Sequence, residues 1–563
     1  MKVVIVGGVA GGATAAARIR RLDEQADITV FEKSGFISYA NCGLPYYIGG
    51  VISDKQHLTL QTPENFYRRF QVKIKIHHEV TAIFPHTKTV LVKNLETGVE
   101  FEESYDKLLL SSGAKPVKLP FKGSNSEKLF TLRTVEDTLK MKEYIHKNQP
   151  KSVIIVGGGF IGLEMAENLR ELGMNVTIVE SLPQLMAPFD SDMAAFIHAR
   201  VRKKGVKLLL GHLVEDVYEK KDSMEVLLQN AMALQADMVI LAIGVVPDTA
   251  FVKNAGLKLG IKDSIIVNQR METSIPDIYA VGDAVQVKHF VTGADALISL
   301  AGPANKQGRI AADNICGVDH KFSGSQASTV IKVFDLTAAS TGINERIAKD
   351  LEIDCDKVIL SPMSHAEYYP GGKIMMMKVL FEKETYRLLG AQMIGFEGVD
   401  KRIDVLATAI RAGMKSYQLA EIDLAYAPPY SSAKDPVNMV GFMIENIKNG
   451  MVKQWYYEDV YKLPGDGSVI LLDTRTSDEY NYRHIKGFIN IPLDELRERL
   501  GELDKMKTVY VICQSGLRSY IASCILMGNG FDVYNFAGGF RFYDTVKNDS
   551  FLIEQSTPCG MDN

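Results

Sequence analysis

Residues 153–180 read VIIVGGGFIGLEMAENLRELGMNVTIVE, and the rest of the fold can be built outward from them. A run of branched apolar residues ends at Gly157. Gly157, Gly159 and Gly162 then stand at G-x-G-x-x-G spacing and open a helical pattern through Phe160 and Ile161. Glu180 closes the next strand, 18 residues after Gly162. Glycines at these positions let the turn tighten and bring the backbone up to a pyrophosphate, whose charge rests on the helix N-terminus. An acid at the end of the second strand can accept from a ribose 2′-OH and repels a 2′-phosphate. The spacing predicts a strand–turn–helix–strand unit that binds a dinucleotide. It favours NADH and leaves NADPH open.

A second unit of the same kind opens the chain: VVIVGGVAGGATAAARIRRLDEQADITVFEK, residues 3–33. Gly7 and Gly12 hold the outer positions, but Val9 replaces the middle glycine. Gly8, Ala10, Gly11 and the run Ala15 to Ala17 keep the loop small, and Glu32-Lys33 closes the second strand. A later segment, TSIPDIYAVGDAV (273–285), ends a strand in Gly282-Asp283, where an aspartate can meet the ribityl or pyrophosphate part of a flavin. Apolar strand runs alternate with helical periodicity to about residue 320, which argues for α/β layers with parallel sheets.

With 563 residues the chain exceeds one core, and its net charge of −4, without basic runs, gives nothing to draw nucleic acid. No stretch approaches the ~18–20 apolar residues of a membrane span, and the opening apolar residues lack the basic flank of a signal peptide. Six cysteines without a secretory signal suit a reducing cytoplasm, where thiols serve chemistry or packing. No metal is expected.

Two dinucleotide units plus the Gly282-Asp283 segment resemble the pyridine nucleotide–disulfide reductase family. Tyr105-Asp106-Lys107, Ser112-Gly113-Ala114 and Ala242-Ile243-Gly244 resemble its crossover strands. The resemblance covers residues 1 to about 440. It implies FAD on the first unit (Gly7, Gly8, Ala10, Gly11, Gly12, Glu32, Lys33, Ser112, Gly113, Gly282, Asp283, Ala301) and NADH or NADPH on the second, with Gly244 added to the residues above. The fold class implied is α/β: two Rossmann-like dinucleotide-binding domains, an α+β dimerisation domain and a C-terminal α/β module. The expected boundaries are 1–113 with 246–322 for FAD, 114–245 for NAD(P)H, 323–445 for dimerisation, 446–467 for a linker, 468–550 for the last module and 551–563 for a tail.

Cys42 lies in ISYANCGLPYYIGG, residues 37–50. Where the larger disulfide reductases place a second cysteine five residues on, this sequence has Tyr47, and no C-x-x-C occurs anywhere. Cys42 therefore finds its sulfur partner outside the local sequence: a small thiol, a sulfenic acid or a persulfide. Asn41, Gly43 and Pro45 suggest a helix cap and tight turn that favour a thiolate. SYANCGLPY, LQTPENFYRR (60–69) and LAYAPPYSSAKDPVN (424–438) sharpen the resemblance to the coenzyme A–disulfide reductase group. That resemblance implies a homodimer whose Tyr368 and Tyr426 approach the partner's redox cysteine and assist a departing thiolate. It also implies coenzyme A phosphates met by Arg18, Arg21, Arg69 and Lys434, with Ser38 and Asn41 near the pantetheine end.

The C-terminal stretch places Asp473 and Arg475 after one strand and Cys513 directly after another. Cys513-Gln514-Ser515-Gly516-Leu517-Arg518 can curl its N–H groups around the sulfur, with Arg518 adding positive charge, to stabilise a thiolate and then a persulfide. This loop resembles that of a rhodanese domain. A phosphatase loop needs its arginine one residue later. Cys524 reads as packing, and Cys559 falls in the expected tail.

Together these readings give an FAD- and NAD(P)H-dependent reductase of coenzyme A persulfide, coenzyme A disulfide or polysulfide, acting on small thiols, persulfides and polysulfides. Two alternatives stand beside it: an NADH oxidase or peroxidase cycling Cys42 through sulfenic acid, and a non-enzymatic sulfur carrier or redox sensor.

Overall fold

The computed structural model describes residues 1–556, which form two compact units. Cys559 lies outside the described residues. The first unit comprises residues 1–183 and 205–327. It holds two five-stranded sheets of matching design. One orders Ile278–Ala280, Lys107–Leu110, Lys2–Val6, Asp27–Phe31 and Lys73–Lys75, all parallel. The other orders Leu129–Thr131, Met238–Leu241, Ser152–Val156, Asn175–Glu180 and Lys207–Leu210, again all parallel. Branched apolar strands such as Val3–Val6 and Val153–Val156 are buried throughout, as a sheet covered on both faces requires. A three-stranded antiparallel meander follows the third or fourth strand of each design. Ala114–Pro116 pairs antiparallel with Val245–Pro247 and joins the two modules.

The second unit comprises residues 184–204 and 328 onward. Its first part is an antiparallel sheet ordered Thr329–Val333, Leu336–Gly342, Leu388–Gly395, Met375–Glu382 and Cys355–Leu360. The helices Val399–Ala412 and Pro436–Lys448 follow. Its second part is a parallel sheet ordered Gln454–Trp455, Val533–Phe536, Val509–Ile512, Ile470–Asp473 and Ile489–Asn490.

Three expected boundaries need correction. Residues 446–467 are not a linker: Gln454–Trp455 is an edge strand of the last sheet, and Trp455 is buried among Phe488, Phe536 and Tyr543 with Nε1 donating to Val511 O at 3.2 Å. Turn-forming residues around Pro464 hid a strand of only two residues. Residues 551–556 are no tail, because the helix Gly539–Ser556 runs through them. Residues 184–204, expected in the nucleotide domain, pack in the second unit. Lys378, fully buried, reaches Asp190 at 3.0 Å and Asp192 at 2.7 Å there, and a buried ammonium requires such partners. The same segment's buried His198 meets Asp549 of the last helix at 2.7 Å.

Candidate functional site

Each glycine loop is closed by its own backbone. A Cβ on Gly12 would stand 1.9 Å from Gly7 O, and one on Gly162 2.1 Å from Gly157 O, so no side chain fits at either third glycine. Gly7 and Gly157 turn at φ +97° and +109°. Gly8 N–H donates to Glu32 Oε2 at 2.8 Å and Gly158 N–H to Glu180 Oε2 at 2.7 Å. The two strand-end acids thus hold their loops in shape, and each carboxylate keeps lone pairs for a ribose hydroxyl. Gly11 is a packing glycine, since its Cβ would strike Val281 Cγ2 at 2.8 Å. Ala10 and Phe160 open the loop helices, with Ile161 in the first turn of the second, and Ala301 opens Ala301–Ile315.

The residues present fit two bound dinucleotides. Ser112 Oγ is shielded from solvent and has no hydrogen-bond partner among the described residues. Space is open in front of Gly159 and of Gly244, which turns at φ +103°. Gly113 stands beside the join between modules, its carbonyl accepting Asp248 N–H at 3.0 Å. Gly282 N–H donates to Gln307 Oε1 at 2.7 Å, and Asp283 takes Arg133 Nη2 at 2.7 Å. Lys33 is paired with Asp248.

Cys42 sits in the 3-10 turn Asn41–Gly43, directly before the short helix Leu44–Ile48 with Pro45 in its first turn. The expected cap is absent: no side chain caps either element, Asn41 included. The protein groups around the sulfur oppose the expected pull toward thiolate. Crowding around the sulfur, then the charge of Glu164, push the thiol above its ordinary range, with Arg133 opposing and Asp283 adding to the rise. A three-residue turn cannot align enough N–H groups to outweigh these acids. Burial and the neighbouring Glu167 push Glu164 up to about 7, while a hydrogen bond from Tyr46 holds it lower than it would otherwise be. Tyr47, at the place of the missing second cysteine, is buried beneath Lys142 Nζ, 3.5 Å from its ring centroid. Ser38, at φ +44°, donates its N–H to Gly8 O at 2.9 Å.

The cations expected for coenzyme A divide. Arg18 is not free, because its Nε meets Asp313 Oδ1 at 2.6 Å. Arg21, Arg69 and Lys434 are exposed and have no ion-pair partner among the described residues. In the second unit Tyr368 and Tyr426 meet through their hydroxyls at 2.5 Å, and both are exposed. That contact singles them out from their neighbours Tyr369 and Tyr430. Sequence reading missed the group that orders these loops. Buried Arg402 donates to Ser364 O at 3.0 Å, Tyr430 O at 3.3 Å and Asp435 Oδ2 at 3.1 Å, and so ties together the segments carrying Tyr368, Tyr426 and Lys434. The signal was an arginine within the apolar stripe of Val399, Ile403 and Leu406.

Cys513 directly follows the strand Val509–Ile512 and is fully buried. Gly516 N–H points at its Sγ from 3.1 Å and Ser519 Oγ from 3.2 Å. Gln514 and Ser515 span the bend, and Leu517 begins the helix Leu517–Gly528. The curled loop expected around the sulfur is present, but the free charge of Arg518 is not. Glu479 grips its guanidinium through two bonds of 2.7 and 2.8 Å. Cys524 is exposed on that helix, not packed in the core.

Fold and site define an oxidoreductase built on two dinucleotide loops. A family model described as pyridine nucleotide-disulphide oxidoreductase matches residues 1–308, its dimerisation domain matches 328–436, and a rhodanese-like domain matches 457–544. The chain belongs to the pyridine nucleotide-disulphide oxidoreductase family. It is 38% identical over 442 residues to the coenzyme A disulfide reductase of Staphylococcus aureus, covering 78% of this chain and 99% of that one. Among solved structures, the reduced CoADR-RHD of Bacillus anthracis aligns with TM-score 0.95 at 46% identity over 97% of this chain and 98% of its own. An NAD-dependent persulfide reductase from A. fulgidus aligns at 0.90 and 38% identity over 96% and 100%.

Proposed function

We propose that this chain is an NAD(P)H-dependent flavoprotein that reduces coenzyme A persulfide, coenzyme A disulfide or polysulfide through Cys42, with the Cys513 module delivering sulfane sulfur. One observation carries the reading: an exposed cysteine without a local partner, Tyr47 filling the partner's place, shares a chain with a buried cysteine whose sulfur already receives an N–H and an O–H. The relatives named for coenzyme A disulfide and persulfide reduction support it.

FAD would lie along Gly7, Gly8, Gly12, Glu32, Ser112, Gly282 and Asp283, and the nicotinamide nucleotide along Gly157, Gly159, Gly162, Glu180 and Gly244. A bound flavin supplies the two electrons, received from the nicotinamide, that split a disulfide at Cys42. The protein's part is to hold and protonate sulfur. The Cys42 thiol attacks the thiol-side sulfur of a persulfide, R–S–S⁻; the bond between Cys42 Sγ and the R–S sulfur forms, the persulfide S–S bond breaks, and HS⁻ leaves with its electron pair and the proton given up by Cys42. Two electrons then return Cys42–S⁻ and R–S⁻, and a tyrosine hydroxyl of the Tyr368–Tyr426 pair protonates the departing thiolate. We assign these tyrosines to the partner's site in a homodimer, and Arg21, Arg69 and Lys434 to coenzyme A phosphates. A reducing cytoplasm is the setting that keeps both thiols competent.

The test is NADH consumption with each sulfur substrate, paired with peptide mass spectrometry. Cys42→Ser lowers turnover of every disulfide and persulfide by at least about 10³-fold. Cys513→Ser lowers the ratio of polysulfide to coenzyme A disulfide turnover about tenfold and removes sulfur from the Cys513 peptide. An unchanged ratio ends the relay, and steady oxygen uptake without any thiol replaces the reductase with an oxidase.

A further inference from the structure

Three guanidinium groups belong to the Cys513 loop and its two flanking elements, and they are not equivalent. Arg475 is buried, bonded to Asp473 Oδ1 at 3.0 Å and Oδ2 at 2.7 Å, with its Cζ 3.8 Å from the centroid of the Phe540 ring. Arg518 is bonded to both oxygens of Glu479. Each of these charges is cancelled by a carboxylate. Arg541, in the first turn of Gly539–Ser556, is half-buried, and its side chain has no hydrogen bond or ion pair among the described residues. Desolvation works against its charge, with nothing in the protein to offset it.

The backbone around Arg541 is fixed to the loop. Phe540 N–H donates to Cys513 O at 2.7 Å and Arg541 N–H to Gln514 O at 3.3 Å. A Cβ on Gly539 would stand 2.6 Å from Ser515 N, so the helix start and the loop are in contact. A guanidinium without a countercharge, carried on a helix start whose backbone is bonded to the nucleophile's own loop, is a site for an anion that arrives with the substrate.

Resting on the reading of Cys513 as a sulfur acceptor, we propose that Arg541, and not Arg518, recognises a tetrahedral oxyanion on the sulfur donor. The oxyanion is the sulfonate of thiosulfate or a phosphate of a phosphate-bearing persulfide. In the transfer, Cys513–S⁻ attacks the outer sulfur of the donor and the Cys513–S–S⁻ bond forms. The donor's S–S bond breaks with its electron pair leaving on sulfite, or on the thiolate R–S⁻. No oxidant or reductant is consumed.

The experiment loads sulfur onto the full chain in a Cys42→Ser background and reads the Cys513 peptide by mass. Three donors are compared: thiosulfate, coenzyme A persulfide, and mercaptoethanol persulfide, which carries no oxyanion. Arg541→Gln raises the half-saturating concentration of an oxyanion donor about tenfold, the loss expected of charge-assisted hydrogen bonds, and leaves its maximal rate within about twofold. The donor without an oxyanion loads as before, and Arg541→Lys recovers most of the loss. A shift with thiosulfate alone assigns the sulfonate, and one with coenzyme A persulfide alone assigns the phosphate. Fluorescence of Trp455, the chain's one tryptophan, verifies that the module is folded. An equal shift for all three donors, or none, overturns the proposal. Failure of the parent chain to load from any donor overturns the sulfur-acceptor reading beneath it.

Discussion

The two working sulfurs sit in opposite surroundings. Cys42 is an exposed residue in a three-residue turn, where desolvation of the sulfur, then Glu164 and Asp283, raise the cost of its thiolate. Cys513 is buried, yet its sulfur already receives Gly516 N–H and Ser519 O–H. The protein alone therefore supplies Cys513 with standing hydrogen-bond donors, whereas Cys42 depends on something added. A bound cofactor, or loss of a nearby acid's charge, must tip it. A loop that keeps a persulfide needs standing donors. A sulfur that trades between disulfide and thiolate has to be easily reversed in either direction.

The strongest way to break this contrast is to loosen the scaffold behind Cys513. The helix Gly539–Ser556 holds the loop at its first turn and is pinned farther along by Asp549, which meets His198 Nδ1 at 2.7 Å and also pairs with Arg202. Asp549→Ala leaves a buried imidazole N–H and a guanidinium without acceptors and costs about 3 kcal/mol of unfolding free energy, read by denaturant titration of Trp455 fluorescence. Burial opposes ionisation of Asp549, but His198 and Arg202 outweigh it and hold its carboxyl below the ordinary range. Its contribution is then complete above the unfolded value of about 3.9 and is lost as pH falls through the lower folded value. The gap between parent and variant should be flat from about pH 5 to pH 8 and close below about pH 4. A gap that instead widens in acid refutes the assignment.

Much of this was legible in the sequence, and the parts that were not share a cause. The glycine loops, Glu32, Glu180, Cys42 and the Cys513 loop are set by local chemistry, and short-range spacing reveals local chemistry. The partners that correct their charges come from far along the chain: Glu164 beside Cys42, Asp313 on Arg18, Glu479 on Arg518. Arg518 looked like a free cation because its carboxylate lies 39 residues earlier. The two-residue strand Gln454–Trp455 and the migration of residues 184–204 into the second unit depend on packing with distant segments, which no local period encodes.

Glu164→Gln moves Cys42 toward the Cys513 condition. With Glu164 held at about 7, its charge appears as pH rises through neutrality and resists ionisation of the neighbouring thiol. The substitution removes that charge at every pH. Alkylation of Cys42 by a neutral reagent at about pH 8 should rise several-fold, with the enhancement fading below about pH 6, where the parent's Glu164 is already protonated. An enhancement independent of pH points to altered access, not charge.

The gentlest probe acts on the other sulfur. Glu479→Gln keeps the helix start at Thr476, because glutamine serves in a capping box as glutamate does, and it leaves Arg518 without its countercharge. Arg518 and Cys513 feel one another's charge, so the released guanidinium favours the Cys513 thiolate. Both members of the pair are about a third exposed, and water and salt screen what is released. Alkylation of Cys513 should therefore quicken by no more than about threefold, and the gain should shrink between about 0.05 M and 0.5 M salt. Arg518 first, and then Thr476, hold Glu479 at about 2 against the opposing effect of burial, so the parent's ion pair is intact above about pH 4 and the ratio stays level there. A slower rate in the variant carries the opposite meaning: Glu479 serves Cys513 by fixing where Arg518 stands, and position outweighs charge at this loop.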